Sequence, residues 1–390
     1  MISVEDALAR CLALTQPLNP ETVPLRHALG RVMATPVFAQ LTQPPFAASA
    51  MDGYALGRAA EIGDTFDVIG EAGAGHAFAG TLQPHQATRI FTGAPLPQGA
   101  VSIAIQEDIA ASGTKITLNA GAGLGNNIRP MGQDFGMGQI FHPPHPLRPN
   151  DLALLAAMNI GAVTVIRRPV VALIATGDEL VMPGEIPRAD QIVASNIFAL
   201  AAMAEQTGAE ARILPIARDN EADLRQVFAL TGGADLIVTI GGASVGDHDL
   251  VGKVATDLGM ERAFWKIAMR PGKPLMAGRL LGIPMLGLPG NPVSAIVCGH
   301  LFMLPMLRAM LGLPHCSPPV CHAVLASDQP ANGPRTHYMR ARLATDGTIA
   351  PFDRQDSALL SILTQSNALL IRPVNDAPRR AGDQVSYIAV

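Results

Sequence analysis

The stretch DLIVTIGGASVGDHDLVGKVATDLGMERAFWKIAMRPGKP, residues 235–274, decides the predicted fold of this chain. Its first apolar run is typical of a strand that is buried on both faces, and a glycine-rich turn follows at 241–249. An amphipathic helix, a second strand and a turn with Lys266, Arg270 and Lys273 complete it. The stretch therefore combines backbone amides, carboxylates and cations, which suit a phosphorylated or oxyanionic ligand held with a divalent metal.

The regions on either side repeat the alternation of strand and helix. An apolar run at 169–175 ends in TGDEL, and a helix capped by Ser195 follows. Further strands are predicted at 211–216, 263–269 and 285–288. Because such alternation forms parallel sheets with helices on both faces, we predict a doubly wound α/β domain. Its ligands are expected beyond the carboxyl ends of the strands, where Glu179 and Asp219 fall.

Other parts of the chain predict smaller modules. Helical spacing at 3–15, 25–29 and 149–160 predicts helices, the first capped by Ser3 and the last by Asn150 or Asp151. Short strands separated by glycine and proline indicate an all-β module over about 60–140 and a second β domain from about 318.

Composition excludes several function classes. A net charge of −4 and 4 % aromatic residues argue against nucleic-acid binding, which needs a basic footprint and stacking surfaces. The acidic start lacks the pattern of a secretory signal, and the apolar tract 295–313 is interrupted by polar residues and proline. We therefore expect a cytoplasmic protein with a buried helix there and no membrane span.

The four cysteines are too few and too irregularly spaced for a disulfide framework, so reduced thiols are expected. The pairs His315-Cys316 and Cys321-His322 flank a proline-rich turn. They lack the usual spacing of zinc ligands, which favours a linker over a zinc site.

Each polar motif has two interpretations. The turn with Gly241, Gly242 and Gly246 either cradles an anion or is only a tight strand-to-helix connection. Asp247 and Asp249 either coordinate Mg²⁺ with Asp178 or Glu179, or cap the next helix. The cations of the 266–273 turn either meet a ligand or form a solvated face, and Asp52 is either a turn residue or a ligand-facing carboxylate.

Seven motifs occur in series: SAMDGYA (49–55), TGAPLP (92–97), IRPMGQD (128–134), TGDEL (176–180), GGASVGDHD (241–249), PGKP (271–274) and LPGNPVS (288–294). In this order they resemble the molybdopterin molybdenumtransferases, the bacterial relatives of the gephyrin E domain, over nearly the whole chain. The resemblance implies an enzyme that combines adenylylated molybdopterin with molybdate, using a divalent cation such as Mg²⁺, and releases molybdenum cofactor and AMP.

The resemblance also implies an elongated homodimer of four-domain subunits. The domains would be a discontinuous helical domain (1–44 and 140–168), an inserted β module (45–139), a molybdopterin-binding α/β domain (169–317) and a barrel-like C-terminal β domain (318–390). The active site would be shared between the β module of one subunit and the α/β and C-terminal domains of the other. Expected partners include the upstream adenylyltransferase and apo-molybdoenzymes.

Site residues follow from the matching motif positions. The implied catalytic residues are Asp52, Asp134, Glu179, Asp219, Asp249, Lys266 and Arg270. The implied substrate-binding residues are Thr92, Gly241, Gly242, Ser244, Gly246, Lys273, Pro289, Asn291, Arg340 and Ser357. Asp249, Glu179 and Asp247 are the implied Mg²⁺ ligands. Cations are required because molybdate and a pyrophosphate repel each other, and carboxylates are required to hold the metal on the phosphates.

Three positions depart from the family pattern: Ala47-Ala48 replaces an Asp-Asn-like pair, Gln133 replaces an acid, and Arg270 replaces a lysine. These departures keep open one alternative, a molybdopterin-binding scaffold without turnover. A second alternative is a molybdopterin adenylyltransferase, because the α/β domain alone resembles proteins with that activity.

Overall fold

The computed structural model of the protein describes residues 1–119, 126–242 and 250–390. Its helices are α1 (Val4–Ala13), α2 (Pro149–Ala157), α3 (Asn196–Gln206), α4 (Glu221–Ala229), α5 (Leu250–Asp257), α6 (Pro292–Cys298), α7 (Leu304–Met310) and α8 (Leu360–Leu363). The strands up to residue 166 are β1 (Pro20–Pro24), β2 (Val37–Phe38), β3 (Ala48–Ser49), β4 (Gly53–Leu56), β5 (Thr65–Ala72), β6 (Gln86–Ile90), β7 (Ser102–Ile105), β8 (Ile109–Ser112), β9 (Lys115–Leu118), β10 (Ile128–Arg129), β11 (Ile140–Phe141) and β12 (Ala162–Ile166). The later strands are β13 (Val170–Ala175), β14 (Leu180–Val181), β15 (Ile192–Val193), β16 (Glu210–Ile213), β17 (Leu236–Ile240), β18 (Glu261–Trp265), β19 (Met269–Arg270), β20 (Met276–Leu280), β21 (Ile283–Leu288), β22 (Cys321–Leu325), β23 (Thr336–Leu343), β24 (Thr348–Pro351), β25 (Ala368–Arg372) and β26 (Gln384–Ala389).

A six-stranded sheet in the order β16-β13-β17-β21-β20-β18 forms the core of the larger of two compact units, residues 1–21, 30–34 and 165–390. The first four strands in this order are parallel. Their apolar residues alternate between a core shared with α3 and α6 and a second core shared with α4 and α5. The predicted doubly wound α/β domain is therefore confirmed.

The predicted strand at 263–269 is in fact two strands. β18 pairs antiparallel with β20 at the edge of the α/β sheet, and β19 pairs in parallel with β23 of the C-terminal sheet. Between them, Lys266 has a left-handed backbone with φ of +66°. A non-glycine residue adopts this conformation only where the surrounding fold imposes it, and here it turns the chain from one sheet to the other.

The C-terminal region is a small barrel. Its strands follow the order β23-β24-β22-β26-β25, and pairing of β23 with β25 closes the ring. Because the first and last strands of this order pair with each other, the sheet is closed, as the predicted barrel-like domain requires. The two β19 residues add to the outside of the ring at β23.

The apolar tract predicted as a buried helix is a continuous helical run, Pro292–Met310, made of α6, a π-helical turn at Gly299–Met303 and α7. By length and mean hydropathy of 1.6 it could cross a membrane, but 72 % of it is buried inside the structure. A run packed against a sheet in this way is a core helix, which agrees with the prediction.

Helix α1 packs against the α/β sheet, and the grouping of residues 1–44 with 140–168 stays a prediction. Its apolar face, with Val4, Ala7 and Cys11, belongs to the core of the α/β sheet. The Arg10 guanidinium donates a hydrogen bond to the Ala263 carbonyl on the edge strand β18, at 2.9 Å. The N-terminal segment therefore packs in the larger unit, because its amphipathic face covers apolar surface there. The amide of Asp6 donates to the Ser3 hydroxyl, so the predicted cap is confirmed.

The second compact unit comprises residues 22–29 and 35–164. A six-stranded sheet in the order β7-β4-β6-β5-β9-β8 forms the predicted all-β module. The predicted helix at 25–29 is only a 3₁₀ turn, Leu25–His27. Helix α2 begins at Pro149 after Arg148, whose amide donates to the Asp151 carboxylate at 2.7 Å, so neither Asn150 nor Asp151 is its N-cap.

The turn after β17 depends on two adjacent glycines with positive φ, Gly241 (+95°) and Gly242 (+64°). A Cβ atom on Gly241 would lie 2.7 Å from the Thr176 carbonyl oxygen. One on Gly242 would lie 2.2 Å from Cγ2 of Val251, so neither position has room for a side chain.

We predict that Gly242→Ala lowers the free energy of unfolding by about 2–5 kcal/mol, since it adds a steric clash to the cost of a left-handed alanine. The matched control is Gly259→Ala, where φ is +86° but no atom lies within 4 Å of the added Cβ. The control should lose only about 1–2 kcal/mol. Chemical denaturation measures both, and equal losses would contradict the proposed close approach.

Candidate functional site

A cavity of about 910 Å³ lies beyond the carboxyl ends of β13, β17 and β21. Three turns that follow these strands form its floor, at 176–177, 241–242 and 289–290. The turns contact one another, because the Gly241 amide donates to the Leu288 carbonyl (3.1 Å) and the Thr176 amide donates to the Ile240 carbonyl (3.0 Å). The cavity therefore occupies the edge of the sheet at which the sequence predicted a ligand.

Six of the predicted site residues line this cavity: Glu179, Asp219, Gly241, Gly242, Pro289 and Asn291. Asp219 is fixed from two sides. Its amide donates to Oδ1 of Asp178 (3.1 Å), and the Asp178 amide lies 3.4 Å from Oδ2 of Asp219. Arg218 donates to the carbonyls of Asp178 (3.2 Å) and Leu180 (3.0 Å), and so holds the loop that carries Glu179. These bonds fix the Asp219 carboxylate and the backbone of the loop that carries Glu179, and both residues are exposed at the cavity rim.

Two cavity residues escaped the sequence analysis. Ser195 was interpreted as a helix cap, but its side chain accepts no capping bond, and its hydroxyl donates to Oδ1 of Asn196 at 3.3 Å. Nδ2 of Asn196 donates to the Gly290 carbonyl at 2.7 Å, which ties the start of α3 to the turn after β21. Their position at the start of a helix on the predicted rim could have identified them as site residues, because helix N-termini favour anions.

The predicted cations lie outside the cavity lining. Nζ of Lys266 sits 3.8 Å from the centre of the Trp265 ring, a cation–π contact. The Ile267 amide donates to the Lys273 carbonyl at 3.1 Å, which folds the turn back on itself. Arg270 is exposed, and Pro274 is the part of this turn that lines the cavity. The turn therefore contacts the cavity wall through its end rather than through its cations.

Arg340 differs from its predicted place in the cleft. Its exposed fraction is 1 %, and its guanidinium donates to the carbonyls of Asp356 (2.9 Å) and Leu359 (3.4 Å). Burial lowers the pKa of this guanidinium. Arg340 thus holds the segment that carries Ser357, and the Ser357 carbonyl accepts the Val293 amide at 3.0 Å near the start of α6. Arg340 is a positioning residue for the cavity wall, because it is buried away from the cavity.

The second unit carries Asp52, Thr92 and Asp134. Oδ1 of Asp52 accepts both the amide and the hydroxyl of Thr92, each at 2.7 Å. These two bonds, followed by the charge of Arg89, lower the pKa of Asp52. Both bonds use Oδ1 and fix the orientation of the carboxylate. Oδ2 therefore remains available to a ligand. Asp134 is exposed in a turn closed by its amide on the Gln43 carbonyl, at 3.0 Å.

The predicted Mg²⁺ ligands Asp247 and Asp249, with Ser244 and Gly246, lie outside the described residues. Within the described ranges, no three His, Cys, Asp or Glu side chains come together as a metal-ligand group. Glu179 and Asp219 are hard oxygen donors of the kind that Mg²⁺ takes, and such sites are completed by substrate phosphates and water. Of the three predicted Mg²⁺ ligands, the described ranges contain only Glu179, which together with Asp219 has the donor chemistry that Mg²⁺ takes, although the described residues form no closed protein cage.

A second cavity, of about 480 Å³, is lined mainly by apolar side chains from α1, the 317–320 segment and the barrel. Its lining contains none of the predicted site residues. The polar cavity at the strand ends is therefore the better candidate for an anionic ligand.

The fold and the cavity define a multidomain protein with an α/β domain of the molybdopterin-binding class. Residues 172–309 match a family described as a probable molybdopterin binding domain. Residues 2–159 match the MoeA N-terminal region (domain I and II), and residues 322–390 match the MoeA C-terminal region (domain IV).

Individual relatives agree with this class. The chain is 35 % identical to a protein of Nostoc sp. named molybdopterin molybdenumtransferase, with 94 % of this chain and 88 % of the relative covered. It is 35 % identical to molybdopterin molybdenumtransferase 2 of Mycobacterium tuberculosis, with 99 % and 98 % covered. A crystal structure of a molybdopterin biosynthesis MoeA protein from Pyrococcus horikoshii superimposes with a TM-score of 0.85 at 28 % identity, covering 100 % of this chain and 99 % of that one. The chain belongs to the MoeA family of molybdopterin molybdenumtransferases.

We predict that Thr92→Val raises the pKa of Asp52. The substitution removes a hydrogen bond that stabilises the ionised carboxylate, so the carboxyl group takes up its proton at a higher pH. Carboxyl-carbon NMR titration measures the shift. Thr117→Val is the control, because Thr117 bonds only loosely to Thr65 (3.4 Å) in the same module. An unchanged Asp52 titration in Thr92→Val would contradict the assigned role of Thr92.

Proposed function

We propose that the protein transfers molybdenum from molybdate to adenylylated molybdopterin and releases AMP, a step of molybdenum cofactor synthesis. The observation that carries this proposal is the polar cavity at the carboxyl ends of β13, β17 and β21, with its glycine turn and two oriented carboxylates. Membership of a family of molybdopterin molybdenumtransferases supports the same reaction.

Adenylylated molybdopterin and molybdate, the proposed ligands, would both bring negative charge to the cavity. The N-terminus of α3 and the amides of the glycine turn face that charge, which favours binding of a phosphate-linked group. Glu179 and Asp219 would hold Mg²⁺, which would supply Lewis-acid chemistry to a phosphate-linked substrate. Water attacks the phosphorus of the pyrophosphate link on the pterin side, the bond between that phosphorus and the bridging oxygen breaks, and AMP leaves with the bridging oxygen. The two sulfur atoms of the dithiolate bind molybdenum, and one oxygen of molybdate leaves as water with the two thiol protons. The exposed carboxylates orient the reactants.

Cations that offset repulsion between molybdate and pyrophosphate are the second requirement. We propose Lys266, Arg270 and Lys273 for this role, on a turn whose last residue, Pro274, lines the cavity. Arginine in place of lysine at 270 keeps the charge and offers a planar fork to an oxyanion. For this reason the departure at 270 is compatible with turnover.

We further propose that the enzyme is a cytoplasmic homodimer in which Asp52, Thr92 and Asp134 of one subunit complete the cavity of the other. Asp52, already ordered by Thr92, is a carboxylate prepared for such a role. The boundaries near 45, 140, 169 and 318 remain proposed domain limits, with α1 reassigned to the α/β core. The upstream adenylyltransferase and apo-molybdoenzymes are the proposed partners.

The central test is AMP release from adenylylated molybdopterin with Mg²⁺ and molybdate. Asp219→Asn should lower the rate about 10²–10³-fold, because it removes a charge that acts on the transition state. Asp223→Asn, the same change four positions further on in α4, should leave the rate within about twofold.

Two outcomes would overturn the proposal. Tight pterin binding without molybdate-dependent AMP release would indicate a scaffold. Consumption of ATP with free molybdopterin would indicate an adenylyltransferase.

The shared site predicts complementation between two inactive variants. Asp52→Ala and Asp219→Ala homodimers, each inactive, should regain about a quarter of wild-type AMP release after subunit exchange, because half the dimers are mixed and each mixed dimer has one intact site. Mixing two preparations of Asp219→Ala is the control. No recovery despite verified exchange would show that both residues serve the same subunit.

A further inference from the structure

A row of basic side chains runs across β19 and the two barrel strands β23 and β25. The register of β19 with β23 pairs Arg270 with His337, and the register of β23 with β25 pairs His337 with Arg372. Directly paired residues of adjacent strands project from the same face of a sheet. The three side chains therefore lie side by side, and Arg335 directly precedes β23.

His337 is the centre of this row. Its exposed fraction is 8 %, and burial together with the guanidinium groups of Arg270, Arg340, Arg335 and Arg372 lowers its pKa to about 4. The imidazole is thus neutral near pH 7, and one ring nitrogen carries a proton that it can donate.

The counter-charges in the row are unevenly distributed. Nε of Arg372 bonds Oδ2 of Asp376 at 2.6 Å, and Asp376 also bonds Arg379. Arg340 is satisfied by backbone carbonyls. In contrast, the guanidinium groups of Arg270 and Arg335 make no ion pair with any residue of the described ranges. Two arginines without an ion-pair partner in the described ranges thus lie near the buried imidazole of His337. Binding of an anion would stabilise this arrangement, because it offsets the repulsion between the positive charges.

We propose that Arg270, Arg335 and the His337 imidazole form a subsite for a doubly charged tetrahedral oxyanion. Two arginine forks and one neutral imidazole N–H supply donors, and no carboxylate of the described ranges forms an ion pair with Arg270 or Arg335. That the anion is molybdate or a phosphate of the pterin substrate rests on the proposed function, whereas the anion chemistry rests on the row itself. Of the three residues in this subsite, only Arg270 is among the site residues predicted from the sequence, so Arg335 and His337 are additional specificity residues.

The first test follows the His337 ring by NMR in the full-length protein, with molybdate alone and with inorganic phosphate alone. A bound dianion offsets the repulsion from the arginines and favours the protonated ring, so the pKa of His337 should rise by about one unit or more. The His337→Gln spectrum identifies the signal. A larger shift at low molybdate concentration assigns the subsite to the metal oxyanion, and a larger shift with phosphate assigns it to the substrate phosphate. No shift with either anion overturns the proposal.

The second test compares charge-matched variants of one strand. Arg335→Gln should weaken binding of the preferred anion about tenfold or more, the loss expected for one charge-assisted contact. Arg342→Gln removes the same charge from an exposed position five residues beyond His337, hence on the opposite face of β23, and should change the affinity less than twofold. If the two variants lose the same affinity for the anion, the loss reflects only the change in net charge, and the proposed subsite is wrong.

The outcomes separate this subsite from the proposed function. If the wild type releases AMP and both Arg335→Gln and His337→Gln have an unchanged KM for molybdate, the proposed subsite is wrong and the proposed function is retained. An anion-dependent shift of His337 in a protein that releases no AMP would retain the subsite and remove the function.

Discussion

The close approach of the Gly241–Gly242 turn to Thr176 is the constraint on which the rest of the site depends. It brings the ends of two neighbouring parallel strands together where their onward connections diverge to opposite sides of the sheet. A side chain at either glycine would push the turn away from Thr176 or into α5. The cavity owes its floor to this contact, and the surrounding loops then present carboxylates and helix N-termini to it.

Two sets of charged residues in the larger unit lie on different elements. Carboxylates Glu179 and Asp219 lie on the cavity rim, whereas the guanidinium groups of Arg270 and Arg335 lie on the side of the barrel strands. Lys266 marks the change between the two, because its left-handed backbone sends the chain from the α/β sheet to the barrel. Within the described ranges, these carboxylates and guanidinium groups therefore make no direct ion pairs that would neutralise each other.

Local patterns predicted much of this arrangement. The strand-and-helix alternation, the capping by Ser3 and the polar ends of β13, β17 and β21 follow from short-range spacing, and all were read from the sequence. The division of 263–269 into two strands was missed because apolar spacing does not report a positive φ at Lys266. The docking of α1 on the α/β core was missed for a related reason: an amphipathic face indicates that a helix is buried, but its partner lies more than 250 residues away.

Arg340 connects the barrel to the segment beside the cavity, whereas its predicted role as a substrate-binding residue stays a prediction. Its guanidinium grips the carbonyls of the 356–359 segment, whose Ser357 carbonyl receives the amide of Val293 beside the cavity turn. The barrel is thus mechanically connected to the wall of a cavity to which it contributes little surface. Loss of the barrel would therefore do more than uncover the cavity. It would also remove the hydrogen bond that the Ser357 carbonyl accepts from the first turn of the helical run Pro292–Met310. The C-terminal region therefore supports a site that is formed mostly by another part of the chain.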